Sequence, residues 1–226
     1  MNGEDLFKSL SAKVGRKQFT ISGKEILSPK VKRSSADKIL IAALKRKAKD
    51  MKTFPDLMID LETYGISPGC VILEIALVAF DRNSNRLPIG CSFFPDVTQQ
   101  QSMGFTIDND TMRFWMDNPE AWKYQLDAHR ESVETVTGGI LQFWEDHCHI
   151  DKTLVWAKGT HFDLPILRTI VKEPWSFRNI HDMRTLKLVS KSDIIVKPLH
   201  PHQGLSDAMA QAKKVTQICS IIGTGF

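Results

Sequence analysis

Alternating apolar and polar positions mark the first ordered segment, residues 57–62, where Leu-Met-Ile-Asp-Leu-Glu has the two-residue period of a strand. A second, almost wholly apolar run covers residues 70–80 and ends at the turn-forming sequence of residues 81–85. A third strand is predicted at residues 89–94. Because short connections join these three segments, they predict an antiparallel meander.

The rest of the chain alternates between helical and strand patterns. Helical patterns cover residues 110–117, 119–128, 132–149, 164–171 and 203–222, with a further helix near Arg184. Short strands are predicted at residues 153–157 and 177–180. The order β-β-β-α-β-α-β-α is typical of an α/β fold, in which helices cover the faces of a mixed sheet.

Composition narrows the class of protein. The 226 residues are 42% hydrophobic and 25% charged, close to the average of globular proteins. No apolar run approaches the ~20 residues that span a bilayer, and the first thirty residues lack the uninterrupted apolar segment of a secretory signal. The four cysteines are far apart and form no C-x-x-C pair, which favours reduced thiols. We therefore expect a cytoplasmic protein without a membrane span.

Charge divides the chain into a basic N-terminal extension, residues 1–54, and an acidic domain, residues 55–226. The extension contains 14 Lys and Arg against 5 Asp and Glu, whereas the whole chain has a net charge of +4. Ser34 or Ser35 can cap one helix that runs to about Lys52. Two interpretations stay open: this helix binds nucleic acid or a protein partner, or it is a solvated helix docked by its apolar stripe.

Two carboxylates lie on one face of the first strand. Asp60 and Glu62 are two residues apart, so their side chains point the same way, roughly 7 Å from each other. Their mutual repulsion and desolvation are unfavourable, and a divalent cation would remove both penalties. The alternative is that Glu62 lies beyond the strand in water and Asp60 caps a turn.

Three further residues are candidates, each with an ordinary structural alternative. Asp163 precedes Leu164 and Pro165, which favours an N-cap of the following helix over a metal ligand. His202 and Asp207 are five residues apart and would diverge on one continuous helix. They converge if His202 lies in the loop before the helix and Asp207 in its first turns. A lone histidine near a helix start is otherwise more often a surface residue.

Taken together and in this order, the five residues resemble the DEDDh 3′–5′ exonucleases. Flanking residues 59–65 (IDLETYG), 161–167 (HFDLPIL) and 182–185 (DMRT) are similar to one branch of that family. The branch includes phage exonuclease A, prophage exodeoxyribonuclease VIII-like domains and a mycobacterial exoribonuclease. The resemblance covers about residues 57–221 and implies a ribonuclease H-like mixed sheet flanked by helices.

The resemblance also implies the chemistry. Asp60, Glu62, Asp163 and Asp207 would hold two Mg²⁺ or Mn²⁺ ions, whose charge balances that of the four carboxylates. On this hypothesis Asp60 bridges both ions, Glu62 and Asp207 complete the first site, and Asp163 acts mostly through water. His202 would be the general base, and the product a nucleoside 5′-monophosphate released from a 3′ end.

Substrate contacts follow from the same resemblance. The backbone around Thr63 and Tyr64 is expected to contact the terminal nucleotide, and the rings of Tyr64 and Phe162 to stack on bases, with core packing as the alternative. Lys158 and His181 depart from the residues that relatives often have, which leaves the substrate preference open. The sequence does not choose between DNA and RNA.

The expected partner is therefore nucleic acid, with a single-stranded 3′ end as the favoured substrate. Because relatives are often dimers, a homodimer is one of the states the resemblance allows, and the N-terminal extension is a candidate site for a protein partner. The rival function is a catalytically silent module on the same fold, binding nucleic acid or protein through the basic extension.

Overall fold

A mixed five-stranded sheet forms the centre of the described structure. The computed structural model describes residue 39 and residues 53–223. Strands β1 (Asp56–Thr63), β2 (Ile72–Phe80) and β3 (Ile89–Phe93) form an antiparallel meander, whereas β4 (Leu154–Ala157) and β5 (Ile180–Asp182) run parallel to β1. The strand order is β3-β2-β1-β4-β5. This is the ribonuclease H-like arrangement that the resemblance implies.

Helices connect the strands and continue to the end of the described chain. After β3 come four helices, and one helix follows each of β4 and β5 before a last long helix. Their bounds are α1 Val97–Ser102, α2 Asn109–Asp117, α3 Pro119–Asp127, α4 Val133–His147, α5 Thr160–Leu167, α6 Met183–Ser190 and α7 Gly204–Ile222. In the described part of the chain no helix is both long and apolar enough to cross a bilayer.

The period-two pattern of β1 separates two hydrophobic layers. Leu57, Ile59 and Leu61 pack with α4 and α5 in one layer, while Met58 packs with α6 and α7 in the other. All four side chains are at most 5% exposed. The predicted alternation is therefore confirmed, and it places Asp60 and Glu62 on the α7 side of the sheet.

Most predicted elements agree with the structure to within two residues at each end, but two do not. Of the strand predicted at residues 177–180, only Ile180 is in a strand, because Ser176 Oγ accepts a hydrogen bond from Arg178 N and starts a 3₁₀ turn at Phe177–Asn179. The strand β5 follows that turn. The helix predicted at residues 164–171 begins four residues earlier, at Thr160.

Helix α1 is absent from the sequence prediction because its sequence, VTQQQS, has little apolar character. It is held by polar groups: Asp96 caps its first turn, and the fully buried Gln100 bonds both the N–H and the carbonyl of Ile72. Of the helix predicted within the extension, the structure describes only Ile39, which is helical; the rest of residues 1–52 lies outside the described residues.

Candidate active site

The carboxyl end of β1 carries two of the five candidate residues. In the antiparallel register Asp60 lies opposite Ala76 of β2, and Glu62 lies opposite Glu74. The side-chain amide of Gln211, on α7, donates a 2.7 Å hydrogen bond to Asp60 Oδ1. Glu62 is 9% exposed. The alternative in which Glu62 extends into water past the strand is therefore wrong.

Asp163 reaches the same end of β1 from α5. Its buried carboxylate accepts a 3.2 Å hydrogen bond from the Leu61 N–H, between the two β1 carboxylates. The interpretation of Asp163 as an N-cap is wrong, because α5 is capped at Gly159 and Asp163 lies inside its first turn. Starting the helix early turns this side chain toward β1 and away from its own helix end.

His202 and Asp207 converge from a loop and a helix, as the second of their two sequence interpretations requires. His202 lies two residues before α7 in the left-handed backbone region, with φ +61°. Asp207, in the first turn of α7, accepts a 2.7 Å hydrogen bond from the His202 N–H through Oδ2. The Phe114 ring, on α2, meets the His202 ring edge-on at 4.9 Å between centroids.

Glu62, His202 and Asp207 form the tightest group at this position. Each offers one ligand atom, and these atoms all lie within 4.8 Å of one another. Asp60 and Asp163 do not belong to that group by distance. Their charges nevertheless act on it, because both raise the pKa of Glu62. The structure thus gathers all five predicted residues at one end of the sheet.

The electrostatics of the site disfavour ionised carboxylates. The pKa of Asp60 is raised well above its ordinary value, mainly by burial and secondly by the charge of Asp163. The pKa of Glu62 is also raised well above its ordinary value, mainly by burial and secondly by the charge of Asp60. Burial also raises the pKa of Asp207, and raises that of Asp163 to about 7. A bound cation would remove this penalty by compensating the charges.

The donor set fits hard divalent cations. All four carboxylates offer oxygen, which is the ligand that Mg²⁺ and Mn²⁺ prefer, and cysteine sulfur is absent from the group. Their pKa values are raised mainly by burial, and neighbouring carboxylates add to this at Asp60 and Glu62, so a cation between them would favour the ionised forms. Asp60, Glu62, Asp163 and Asp207 are therefore the residues that could hold such ions.

A cavity of about 450 Å³ opens beside Glu62, the one of these four carboxylates that lines it. Its walls include Glu62, Thr63, Phe114, Trp115 and Phe162. Phe162 is half-buried, since one part of its ring packs on the core while another faces the cavity. Both of the interpretations given for Phe162 in the sequence, core packing and contact with a ligand, therefore agree with its position.

Tyr64 does not line that cavity, and its ring has the core-packing position that was the alternative to stacking on a base. The ring is 6% exposed and meets the Trp115 ring edge-on at 6.5 Å, while its hydroxyl accepts a hydrogen bond from Trp122 Nε1. The ring is buried because it packs against apolar side chains of α2 and α3, and burying this aromatic surface is more favourable than exposing it to water. Tyr64 instead supports Trp115, which forms part of the cavity wall.

Two residues around the site were not singled out from the sequence as site residues. Gln211 contacts Asp60, and Glu74 lies opposite Glu62. A signal existed for each: Gln211 is four residues after Asp207, on the same helix face, and Glu74 is a charge within the apolar run of residues 71–80. Neither signal identifies the partner, because that contact depends on the tertiary fold.

The chain is similar in sequence to known exonucleases. Residues 55–219 match a family model described as the 3′-5′ exoribonuclease Rv2179c-like domain. An exodeoxyribonuclease of Enterobacteria phage T4 is 27% identical over 158 residues, which cover 65% of this chain. The chain spans 64% of the length of that phage protein.

Solved structures of nucleases are also similar. Escherichia coli exonuclease I in complex with a dA13 oligonucleotide has a TM-score of 0.49 and 13% identity, over 73% of this chain and 40% of that one. The nuclease domain of 3′hExo, a DEDDh family member bound to rAMP, has a TM-score of 0.46 and 12% identity, over 74% of this chain and 92% of that one.

Proposed function

The chain belongs to the family of Rv2179c-like 3′-5′ exoribonuclease domains, and from that premise we propose that it is a metal-dependent 3′–5′ exonuclease. It hydrolyses the terminal phosphodiester bond of a nucleic acid, and residues 55–226 form the catalytic domain. The observation that carries the proposal is the meeting of four carboxylates and one histidine beside a cavity at one end of the sheet.

Two divalent cations, Mg²⁺ or Mn²⁺, would be held by Asp60, Glu62, Asp163 and Asp207. When bound, such ions supply positive charge that offsets the four carboxylates and polarises the phosphate and the attacking water. Two of these carboxylates are held in place by hydrogen bonds. The Leu61 N–H donates to Asp163, and the Gln211 amide donates to Asp60. The site therefore needs little rearrangement to bind cations.

His202 would serve as the general base. Its ring is braced by Phe114 and its main chain by Asp207, so the imidazole is held beside the carboxylates. The imidazole takes one proton from the attacking water, whose oxygen forms a new bond to phosphorus. The bond between phosphorus and the 3′ oxygen of the preceding nucleotide breaks, and that oxygen takes a proton from solvent. The product is a nucleoside 5′-monophosphate.

The terminal nucleotide would occupy the cavity lined by Thr63, Phe114 and Phe162. Phe162 offers the exposed part of its ring to a base. Stacking of one base on an aromatic side chain contributes about 1–3 kcal/mol to the free energy of binding. A single-stranded 3′ end fits this arrangement, because the terminal base must be unpaired to lie in the cavity.

The test is a degradation assay with 5′-labelled single-stranded DNA and single-stranded RNA, each with Mn²⁺ and with chelator. We expect a ladder that shortens from the 3′ end, release of 5′-monophosphates, and no reaction with chelator. His202→Ala should lower kcat by ~10²–10⁴-fold, and His147→Ala, a histidine in α4, is the matched control.

Two results would contradict the proposal. Wild-type protein that binds the oligonucleotide but releases no mononucleotide with Mn²⁺ would favour the catalytically silent module. His202→Ala protein with near-normal kcat would exclude the histidine as base. Comparing DNA with RNA in the same assay decides the substrate class, since the matched family is described as exoribonuclease and the phage relative as exodeoxyribonuclease.

A further inference from the structure

Glu74 is a fully buried carboxylate near the start of β2, directly opposite Glu62. It accepts four hydrogen bonds. The donors are Ser92 Oγ at 2.5 Å, Gln125 Nε2 at 2.7 Å, Gly204 N at 2.9 Å and Leu205 N at 3.2 Å. Ser92 belongs to β3 and Gln125 to α3, and the other two donors are the first N–H groups of α7. Glu74 therefore joins the sheet to the start of that helix.

Helix α7 depends on this contact because it lacks a local cap. The first N–H groups of a helix have no partner within the helix and require an outside acceptor. Gln203, at the N-cap position, makes no side-chain capping hydrogen bond. Glu74 supplies the acceptor from a different element, and its negative charge also complements the helix dipole. The anchored end lies immediately after His202.

Gly204 is the residue that permits so close an approach. A Cβ atom at this position would lie 2.9 Å from Glu74 Cδ and 3.2 Å from Ala76 Cβ. Contacts below 3.0 Å are not tolerated without displacement, and here the neighbouring carboxyl is fixed by four hydrogen bonds. The glycine and the carboxylate therefore form one fitted junction between β2 and α7.

The backbone at His202 needs such an anchor. Its φ of +61° is a left-handed conformation that is unfavourable for a residue with a side chain, and it persists only where surrounding contacts impose it. The Asp207 carboxylate binds the His202 N–H on one side. The Glu74 carboxylate fixes the chain two and three residues later. Together these contacts determine where the imidazole points.

We propose that Glu74 is a positioning residue of the exonuclease reaction, which orients His202 by anchoring the turn of residues 202–205. The inference rests on the proposed function. Glu74 touches neither the substrate nor the cations in this role. It acts through the backbone of the turn, so that its loss lowers the rate of the chemical step and leaves substrate binding in place.

Glu74→Gln is the appropriate variant, since it keeps the shape and replaces one acceptor oxygen by an NH₂ group that faces N–H donors. We expect kcat to fall by ~10–100-fold, as for a small misplacement of a catalytic group, with KM changed less than about threefold. The matched control is Asp56→Asn at the other end of β1, a carboxylate equally buried and bonded to Arg82 and Trp156. It should lose thermal stability but keep kcat.

A double-mutant cycle distinguishes positioning from general destabilisation. If Glu74 acts through His202, adding Glu74→Gln to His202→Ala should change the residual kcat by less than about threefold. The inference is overturned if Glu74→Gln alone keeps kcat as Asp56→Asn does, or if it lowers kcat equally with and without the histidine. The rates are compared at a temperature at which thermal unfolding shows every variant folded.

Main-chain NMR separates this inference from the proposed function. In Glu74→Gln protein the amide resonances of Gly204, Leu205 and His202 should shift, while those at Arg82 remain. That result supports the anchoring role even if the wild-type protein were to release no nucleotide, which would end the proposed function alone. Unchanged amide resonances at Gly204 and Leu205 would overturn the inference whatever the activity.

Discussion

At the scale of single residues, the site carboxylates determine how stability depends on pH and cations. Burial raises the pKa of Asp163 from its ordinary 3.8 to about 7, so the folded state holds a proton that the unfolded chain releases. Stability is therefore greatest below the unfolded pKa and falls as pH rises toward 7, by an amount on the order of 4 kcal/mol for this group. The raised pKa values of Asp60 and Glu62 act in the same direction.

We therefore expect the Tm of cation-free protein to fall between pH 5 and pH 8, and added Mn²⁺ to raise Tm more at pH 8 than at pH 5. Thermal unfolding followed by circular dichroism measures both. Asp163→Asn should flatten the pH dependence, because the amide does not titrate. A Tm that rises with pH in the absence of cations would contradict the assignment of these residues as buried carboxylates with raised pKa values.

Gln211 offers a second test at this scale. Its amide donates to Asp60 Oδ1, and the side chain is 7% exposed. Gln211→Leu removes that donor at little change in volume, so Mn²⁺ affinity and kcat should fall by ~10–100-fold, as for other residues that orient a metal ligand. Isothermal titration with Mn²⁺ and the degradation assay measure this. Gln217→Leu, six residues further along α7, should leave both unchanged.

These residues show why only part of the site was predictable. The five catalytic candidates were indicated by their types, spacing and order taken together, because this combination resembles the DEDDh exonucleases, whereas each signal alone also had an ordinary structural explanation. Gln211 and Glu74 have roles only because α7 packs across β1 and β2, a long-range contact with no local signature. The converse holds for Tyr64: its residue type suits stacking on a base, but its ring is buried by packing against α2 and α3, which its type does not indicate.

At the scale of elements, Asp182 connects the two helices that flank the carboxylates. Its Oδ1 caps α6 by accepting from Thr185 N, and its Oδ2 accepts from Thr160 N at the start of α5, both at 2.9 Å. Because α5 carries Asp163, this one side chain fixes a helix of the site to the end of β5. The early start of α5 could not be predicted because it depends on this contact between distant residues.

Asp182→Ala should therefore lower the free energy of unfolding by ~1–2 kcal/mol, the usual cost of losing a cap, with a second acceptor lost as well. Denaturant unfolding measures it. Asp146→Ala, an exposed acidic residue of α4, is the control and should stay within about 0.5 kcal/mol of wild type. Equal stability of the two variants would contradict the bridging role of Asp182.

At the scale of the whole molecule, the charge is unevenly distributed between the extension and the domain. An acidic domain repels a polyanion, so the proposed nucleic acid substrate would need positive charge elsewhere in the chain. Residues 1–54 hold 14 of the 30 basic residues but 5 of the 26 acidic ones, so the rest of the chain carries net negative charge. We propose that the extension binds phosphates of the substrate while the domain cuts its end. Such binding releases counterions and weakens as salt increases.

Removing residues 1–52, which carry all 14 of these basic side chains and leave the buried Phe54 in place, should therefore weaken binding most at low salt. It should also make the plot of log K against log [salt] less steep. Fluorescence anisotropy of a labelled single-stranded oligonucleotide measures this, with His202→Ala in both proteins to prevent degradation. Each basic side chain that contacts a single strand contributes ~0.7 to the slope, so four contacts would reduce it by about 3. Equal slopes with a lower Tm in the shortened protein would identify the extension as a structural element, because losing a docked helix destabilises the fold without altering phosphate contacts.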